Sequence, residues 1–140
     1  MLLDTNALFL PVRSRFPLEP EVERCWPGAR LAVLSTTVSE LVRLVREGVA
    51  GAVAAREYAR RFPVLAAQGL GDDAVLASAV LRGASVVTAD RDLAQRLVAR
   101  RVSVLVPRDR HRLHLVRGAP VRRSPTAART PRGRRRRGNG

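Results

Sequence analysis

Acidic residues are concentrated in one short stretch of a strongly basic chain. The chain has 26 Arg, no Lys and only 12 Asp and Glu, a formal net charge of +14, yet residues 71–93 contain Asp72, Asp73, Asp90 and Asp92. Gathered carboxylates repel one another unless a cation lies among them, and hard divalent cations take oxygen ligands. The pattern suits metal-dependent phosphodiester chemistry, in which arginines bind phosphates while the metal activates water and stabilises the leaving oxygen.

The elements predicted around these acids alternate between strand and helix. Hydrophobic runs predict strands at 1–4, 30–35, 84–90 and 102–108, and helical periodicity predicts helices at 36–48, 51–62, 72–83 and 91–101. Residues 64–71 are predicted to be a strand or loop, and residues 111–116 an edge strand or turn. After the first strand, Pro11 and Pro17 limit any helix to a turn or two. This order is typical of an α/β domain with a largely parallel sheet.

Open α/β sheets carry their sites at the carboxyl ends of the strands, and the predicted ends place more acids there. At or just after them lie Asp4, Glu40, Asp72 and Asp90, with Asp92 close behind. Each has a structural alternative, because Asp4, Asp72 and Asp90 could be helix N-caps and Thr37–Glu40 fits a capping box. Ser, Thr and Asn cap about as well as Asp, so the shared placement of scarce acids favours a common site.

Several other chemistries are excluded or disfavoured. Without Lys, no Schiff base and no P-loop can form. Cys25 is the only cysteine, so it makes no intramolecular disulfide, and with His111 and His114 it cannot complete the usual structural zinc site. The two histidines are better read as surface or RNA-contacting side chains than as a general base. No long apolar run or signal peptide is evident, so we expect a cytoplasmic protein without membrane contact.

The charge pattern divides the chain near residue 116. Residues 1–116 contain seventeen Arg and twelve acids, a net charge of +5, whereas residues 117–140 contain nine Arg and no acid. The second segment has almost no large apolar residue, so we expect it to be disordered. Within it we interpret Arg134, Arg135, Arg136 and Arg137 as an electrostatic arm for nucleic acid; the alternative is a solubility tail.

The acidic segments also resemble a known family. LLDTN at 2–6, SELVRL at 39–44 and GDDAVLASAVLRGASVVTADRDL at 71–93 resemble the successive acidic segments of PIN-domain ribonucleases, and the likeness covers roughly residues 1–116. It implies a three-layer α/β/α fold and a Mg²⁺- or Mn²⁺-dependent endonuclease acting on single-stranded RNA. Carried over by position, it makes a catalytic quartet of Asp4, Glu40, Asp72 and Asp90.

The resemblance also implies supporting roles. Asp4, Asp72, Asp90 and Asp92 would be metal ligands, and Asn6 and Thr88 would orient the site by hydrogen bonds. Family spacing favours Asp72 over Asp73 as the quartet member, since adjacent helical residues point about 100° apart, which leaves Asp73 a supporting residue.

The resemblance leaves two branches of the family open, and the two branches differ in substrate and partner. One comprises toxin ribonucleases of the VapC type, held by an antitoxin, and the other comprises archaeal proteins similar to the PIN endonucleases of small-subunit ribosomal RNA processing, with ribosome-assembly partners. The Asp72–Asp73 doublet and the basic RDRHRLHL segment favour the second branch. A rival from another class is a non-catalytic RNA-binding scaffold. The apolar face of residues 41–62 could form a homodimer or simply cover the sheet.

Overall fold

The computed structural model describes residues 1–118, which form six helices and six short strands. Residues 119–140, with the expected disorder and the Arg134–Arg137 run, lie outside the described part. In chain order the elements are β1 (Leu2–Leu3), α1 (Thr5–Ser14), α2 (Leu18–Cys25), β2 (Val33–Leu34), α3 (Ser35–Arg46), α4 (Ala52–Ala59), β3 (Val64–Leu65), α5 (Gly71–Arg82), β4 (Val86–Val87), α6 (Arg91–Ala99), β5 (Val104–Pro107) and β6 (Leu113–Val116).

The strands form a mostly parallel four-stranded sheet and a parallel two-stranded sheet, which an isolated bridge joins. β1 pairs with β4 and β4 with β5, all parallel, and β6 adds to β5 as an antiparallel edge. The parallel pair β2–β3 joins the other side of β1 through a bridge between Leu2 and Ala32, with Leu3 N–H donating to the Ala32 carbonyl at 2.9 Å. The order is therefore β3-β2-β1-β4-β5-β6, which confirms the predicted α/β class.

Side-chain alternation along the strands divides the core into two layers. Leu3, Val33, Val87 and Leu105 pack with buried residues of α1, α2, α3 and α4. The neighbouring residues Leu2, Leu34, Val86 and Val104 pack on the other side with α5 and α6. Helices therefore cover both faces of the sheet, and the three-layer α/β/α arrangement is confirmed.

The first helix is longer than the sequence pattern predicted. α1 runs for ten residues with Pro11 inside it, so the prediction of a turn or two was wrong. Pro11 is the seventh residue of the helix and lacks only its own N–H, and Ala7, Leu8 and Phe9 are buried in the core ahead of it. Packing of these three residues stabilises a helix that a proline near its end interrupts only slightly.

The apolar face predicted within residues 41–62 is used mainly inside the chain. Leu41, Ala52, Ala55 and Ala59 are buried in the same cluster as α1, while Val53 remains 65% exposed. The face therefore packs largely against neighbouring helices of the same chain, and homodimerisation stays a prediction. No helix among residues 1–118 is long and apolar enough to cross a membrane.

Candidate active site

Asp4 is a buried carboxylate at the carboxyl end of β1, directly before α1. Asp4 is only 6% exposed, and the Thr88 hydroxyl donates to Asp4 Oδ2 at 2.8 Å. The pKa of Asp4 is raised to about 6, chiefly by burial and also by the charges of Asp72 and Glu40, while hydrogen bonds from the Thr88 hydroxyl and the Thr5 backbone oppose the shift. The carboxylate is therefore held in a place where its negative charge is costly without a cation nearby.

Thr88 and Asn6 tie the end of β4 to the start of α1. The buried Thr88 Oγ1 lies 2.8 Å from Asp4 Oδ2 and 3.3 Å from Asn6 Oδ1, and it accepts from the Asp90 N–H at 3.0 Å. Asn6 Oδ1 accepts the Ala89 N–H at 2.7 Å. One hydroxyl thus positions the Asp4 carboxylate and the backbone of Asp90 together, which is the geometry that the expected orienting role requires.

Helix capping accounts for only one of the aspartates. Asp90 is the N-cap of α6, and its Oδ1 accepts the Leu93 N–H at 3.1 Å. Asp4 precedes α1 without a side-chain capping bond, and Asp72 lies inside the first turn of α5, which begins at Gly71. Side-chain capping therefore does not account for Asp4 or Asp72 in this structure: Asp72 lies inside its helix, and Asp4 stands at the N-cap position without the capping bond, although a backbone hydrogen bond from Thr5 lowers its pKa.

The Glu40 side chain forms a hydrogen bond with α1, whereas the capping box predicted a bond to the start of its own helix, α3. α3 begins at Ser35, two residues before Thr37, and the Glu40 carboxylate accepts instead from the Thr5 hydroxyl at 2.7 Å. Arg43 is its nearest basic partner, at 3.8 Å and largely exposed. The capping-box alternative is wrong because the helix starts earlier, which places Glu40 in its second turn, facing the beginning of α1.

The four acids of the predicted quartet line one pocket of about 350 Å³. They come from four separate places in the chain: the end of β1, the second turn of α3, the first turn of α5 and the start of α6. Burial raises the pKa of Asp72, and the charge of Asp90 raises it further. Within residues 1–118 no basic group lies within 4.0 Å of the carboxylates of Asp4, Asp72 and Asp90.

Two further acids of the sequence motif lie away from this pocket. Asp73 is exposed, and its carboxylate pairs with Arg96 of α6 at 2.7 Å. Asp92 is exposed in the first turn of α6 and is not among the residues that line the pocket. The structure thus separates Asp72 from Asp73, as their offset along a helix requires, and leaves Asp92 outside the group of four.

Arg13 and Thr5 line the pocket, and the sequence reasoning missed both of them. The guanidinium of Arg13 donates to the Ala50 carbonyl at 3.0 Å and lies 4.2 Å from the centre of the Phe9 ring. Arg13 follows Phe9 by four residues, a spacing that places both on one helix face. That signal was hidden because the helix was expected to end near Pro11.

The oxygen donors of the pocket suit a divalent cation whose coordination shell is completed by ligands from outside the protein. Within the described residues, no group of three or more His, Cys, Asp or Glu side chains is close enough to hold a metal ion by itself. The side chains of the pocket that could bind a metal are nevertheless all oxygen donors, mainly carboxylates, and hard cations prefer such donors. Mg²⁺ commonly binds one or two protein carboxylates and takes its remaining ligands from water and substrate phosphate. The residues therefore fit an open site that substrate would complete.

Comparisons with known proteins identify the family to which this fold belongs. The family model described as PIN like domain matches residues 1–110, and the chain belongs to this family. The structure of the PIN domain endonuclease Utp24 is similar, with a TM-score of 0.71 and 20% sequence identity over 86% of this chain and 92% of that chain. That likeness establishes a shared fold. No curated protein matches the sequence significantly. The PIN resemblance read from the acidic segments is confirmed.

Proposed function

We propose that the protein is a Mg²⁺- or Mn²⁺-dependent endoribonuclease that cleaves phosphodiester bonds of single-stranded RNA. The observation that carries the proposal is the pocket formed by Asp4, Glu40, Asp72 and Asp90 in a chain of net charge +14. Three of these carboxylates have no ion-pair partner within residues 1–118. Membership of the PIN-like family and the fold shared with the endonuclease Utp24 support the same activity.

Asp4, Asp72 and Asp90 are the candidate ligands, of which one or two would hold the ion together with water and substrate phosphate, and Glu40 is available to a second ion. The bound ion would supply activation of the attacking water and stabilisation of the leaving oxygen. The chain itself positions the acids. The Thr88 hydroxyl bonds the Asp4 carboxylate and the backbone N–H of Asp90, and the Thr5 hydroxyl bonds the Glu40 carboxylate. Departure of the 3′ oxygen would leave a 5′ phosphate, and no side-chain nucleophile is needed. Asp92 would add negative potential from outside the pocket.

For the natural substrate we favour ribosomal RNA over the targets of a VapC-type toxin. The support is the Asp72–Asp73 doublet and the arginine-rich segment after β5, both features of the processing branch that the sequence resembles. A ribosome-assembly partner would then be expected in place of an antitoxin. Growth arrest and general RNA cleavage on expression of the protein alone would overturn this preference in favour of the toxin branch.

The test is cleavage of a labelled single-stranded RNA by the purified protein with Mn²⁺, with Mg²⁺ and with EDTA. An Asp4→Asn plus Asp90→Asn variant removes two pocket charges, and Asp73→Asn is the matched control because Asp73 lies outside the pocket. We expect metal-dependent cutting by the parent and by the control, and none by the double variant. Tight RNA binding in EDTA without cutting in either metal, on linear and structured RNAs alike, would favour the non-catalytic scaffold.

A further inference from the structure

A second cleft lies at the edge of the sheet, outside the acidic pocket. It is formed by the end of α2 and the turn between β5 and β6, has a volume of about 620 Å³, and is lined by Arg24, Cys25, Arg108, Asp109, Arg112, Leu113, His114 and Leu115. We propose that this hairpin cleft binds the phosphate backbone of a single-stranded RNA whose scissile bond occupies the acidic pocket. The inference rests on the proposed function and adds a docking site for the substrate.

The hairpin, the turn between β5 and β6, contains one acid, Asp109, whose carboxylate faces the backbone of the same turn. Asp109 Oδ1 accepts the N–H groups of His111 and Arg112 at 2.7 and 2.9 Å, and Arg108 N–H donates to the Arg112 carbonyl at 2.8 Å. The hydrogen bonds from the backbone of His111 and Arg112, together with nearby positive charge, lower the pKa of Asp109. The turn is therefore closed by Asp109, which forms no salt bridge with the arginines beside it.

A buried contact with α2 holds this turn in place. Glu21 accepts the Leu113 N–H at 2.8 Å, and Arg24 donates to the Leu113 carbonyl at 2.9 Å while it forms two further hydrogen bonds with Glu21. The outward backbone groups of the edge strand are thereby satisfied at this position. Since Glu21 neutralises Arg24, the unbalanced charge of the cleft comes from the hairpin.

The hairpin arginines are available to an anion. Arg108, Arg110 and Arg112 are exposed, and none of them forms a salt bridge within residues 1–118. Guanidinium groups bind phosphate oxygens through paired hydrogen bonds, so arginines held on a closed turn can recognise a phosphate chain. The lining has few apolar side chains, which argues for a polyanionic backbone rather than a lipid surface.

The position of the hairpin relates this charge to the acidic pocket. β5 lies parallel to β4, so Pro107 and Arg108 leave the sheet at the same edge as Thr88 and Asp90. Neighbouring strands are about 4.8 Å apart, which puts the hairpin about 5 to 10 Å to the side of the end of β4. An RNA strand that crosses the pocket would therefore continue over Arg108 and Arg112.

The experiment compares two pairs of substitutions that each remove two positive charges from the full chain. Arg108→Gln/Arg112→Gln changes the hairpin cleft, whereas Arg100→Gln/Arg101→Gln changes exposed arginines at the other end of α6, beside the start of β5. Binding of a fluorescent single-stranded RNA is measured by anisotropy in EDTA between 50 and 300 mM KCl. Without metal, the binding measurement is independent of cleavage.

We expect the hairpin pair to weaken RNA binding roughly tenfold at low salt, and to make the slope of log K against log salt shallower by about 1.4, the value for two lost phosphate contacts on a single strand. The control pair should change the affinity less than about twofold. Arg108→Lys/Arg112→Lys should retain most of the slope and lose part of the affinity, because lysine keeps the charge without the paired donors. This third variant also shows that the effect does not come from a misfolded hairpin.

Equal losses for the hairpin and control pairs would overturn the inference, since the effect would then be one of total charge. If the parent cuts RNA with metal but both pairs behave alike, the docking site fails and the proposed function stands. If no metal supports cutting but the hairpin pair still weakens binding selectively, the proposed function fails and the cleft remains an RNA site. Absence of RNA binding by the parent protein in EDTA would refute the docking site, and the proposed function would still be decided by cleavage with metal.

Discussion

Replacing Asp4 by Asn should stabilise the protein while it abolishes cleavage. Asp4 has a pKa near 6 in the folded chain because of burial and nearby acids, against 3.8 for an ordinary aspartate. Each pKa unit corresponds to about 1.4 kcal/mol, so keeping this carboxylate ionised at neutral pH costs the fold on the order of 3 kcal/mol. An amide is neutral and nearly isosteric, and it still offers an oxygen to the Thr88 hydroxyl.

This cost already includes the hydrogen bond from Thr88, because the pKa near 6 reflects that bond as well as burial and the nearby acids. We therefore expect Asp4→Asn to raise the free energy of unfolding by about 3 kcal/mol at pH 7 in EDTA. The same change removes a carboxylate from the site of the proposed metal, so cleavage should disappear.

The pH dependence of the free energy of unfolding tests the sign of this stability change independently. Between about pH 4 and pH 6 the folded protein binds a proton at Asp4 that the unfolded chain has released, so the contribution of Asp4 to stability falls as pH rises through this window. Below pH 4 the carboxyl is protonated in both states, and the difference between parent and variant should vanish. Above pH 6 the difference should be constant.

The assay is urea unfolding of parent and variant at a series of pH values in EDTA, followed by the fluorescence of Trp26. Asp73→Asn serves as the control, because Asp73 is exposed and its removal should change stability little and leave cleavage intact. A variant less stable than the parent at pH 7, or a stability difference that does not change between pH 4 and pH 6, would refute the reasoning about Asp4.

Three further predictions test other parts of the molecule. Arg13→Gln should raise KM for RNA several-fold with little change in kcat, because Arg13 lines the acidic pocket without a carboxylate partner within residues 1–118; an unchanged KM in steady-state cleavage would exclude contact with substrate. Thr88→Val should cost about 1 to 3 kcal/mol in urea unfolding and lower cleavage, since it leaves Asp4 and the Asp90 N–H without their buried partner; a neutral effect on both would contradict the orienting role. Removal of residues 119–140, which contain eight Arg and no acid, should make the salt dependence of RNA binding shallower while metal-dependent cleavage of a bound RNA persists; an unchanged salt slope would favour the solubility tail.

Several features of the site could be read from local pattern because the physics behind them is local. A buried strand followed by an acid, repeated along the chain, places Asp4 and Asp90 at one edge of a parallel sheet whatever the details of packing. The 100° step of a helix separates Asp72 from Asp73. In the Thr-x-Asp of residues 88–90, the Thr88 hydroxyl accepts the Asp90 N–H, which is a local contact, but the carboxylate that it bonds is that of the remote Asp4.

Other features required the tertiary structure. The sequence pattern ended α1 near Pro11, and only the burial of Ala7, Leu8 and Phe9 carries the helix on to Arg13. Glu40 fits a capping box equally well on local grounds, yet its partner is Thr5, 35 residues earlier. No local rule predicts which of two available hydrogen bonds a side chain makes, because the choice depends on how two remote helices pack.

The sequence by itself determined the class of fold, the edge of the sheet that carries the acids and the oxygen character of the site. Residue type, periodicity and charge specify these, since each depends on neighbours along the chain. The tertiary structure decided which acids share a pocket, how far burial raises the pKa of Asp4, and that Glu21 and Leu113, 92 residues apart, fix the basic turn between β5 and β6 against α2. Distances between remote residues, and the solvation that accompanies them, exist only once the helices have packed on both faces of the sheet.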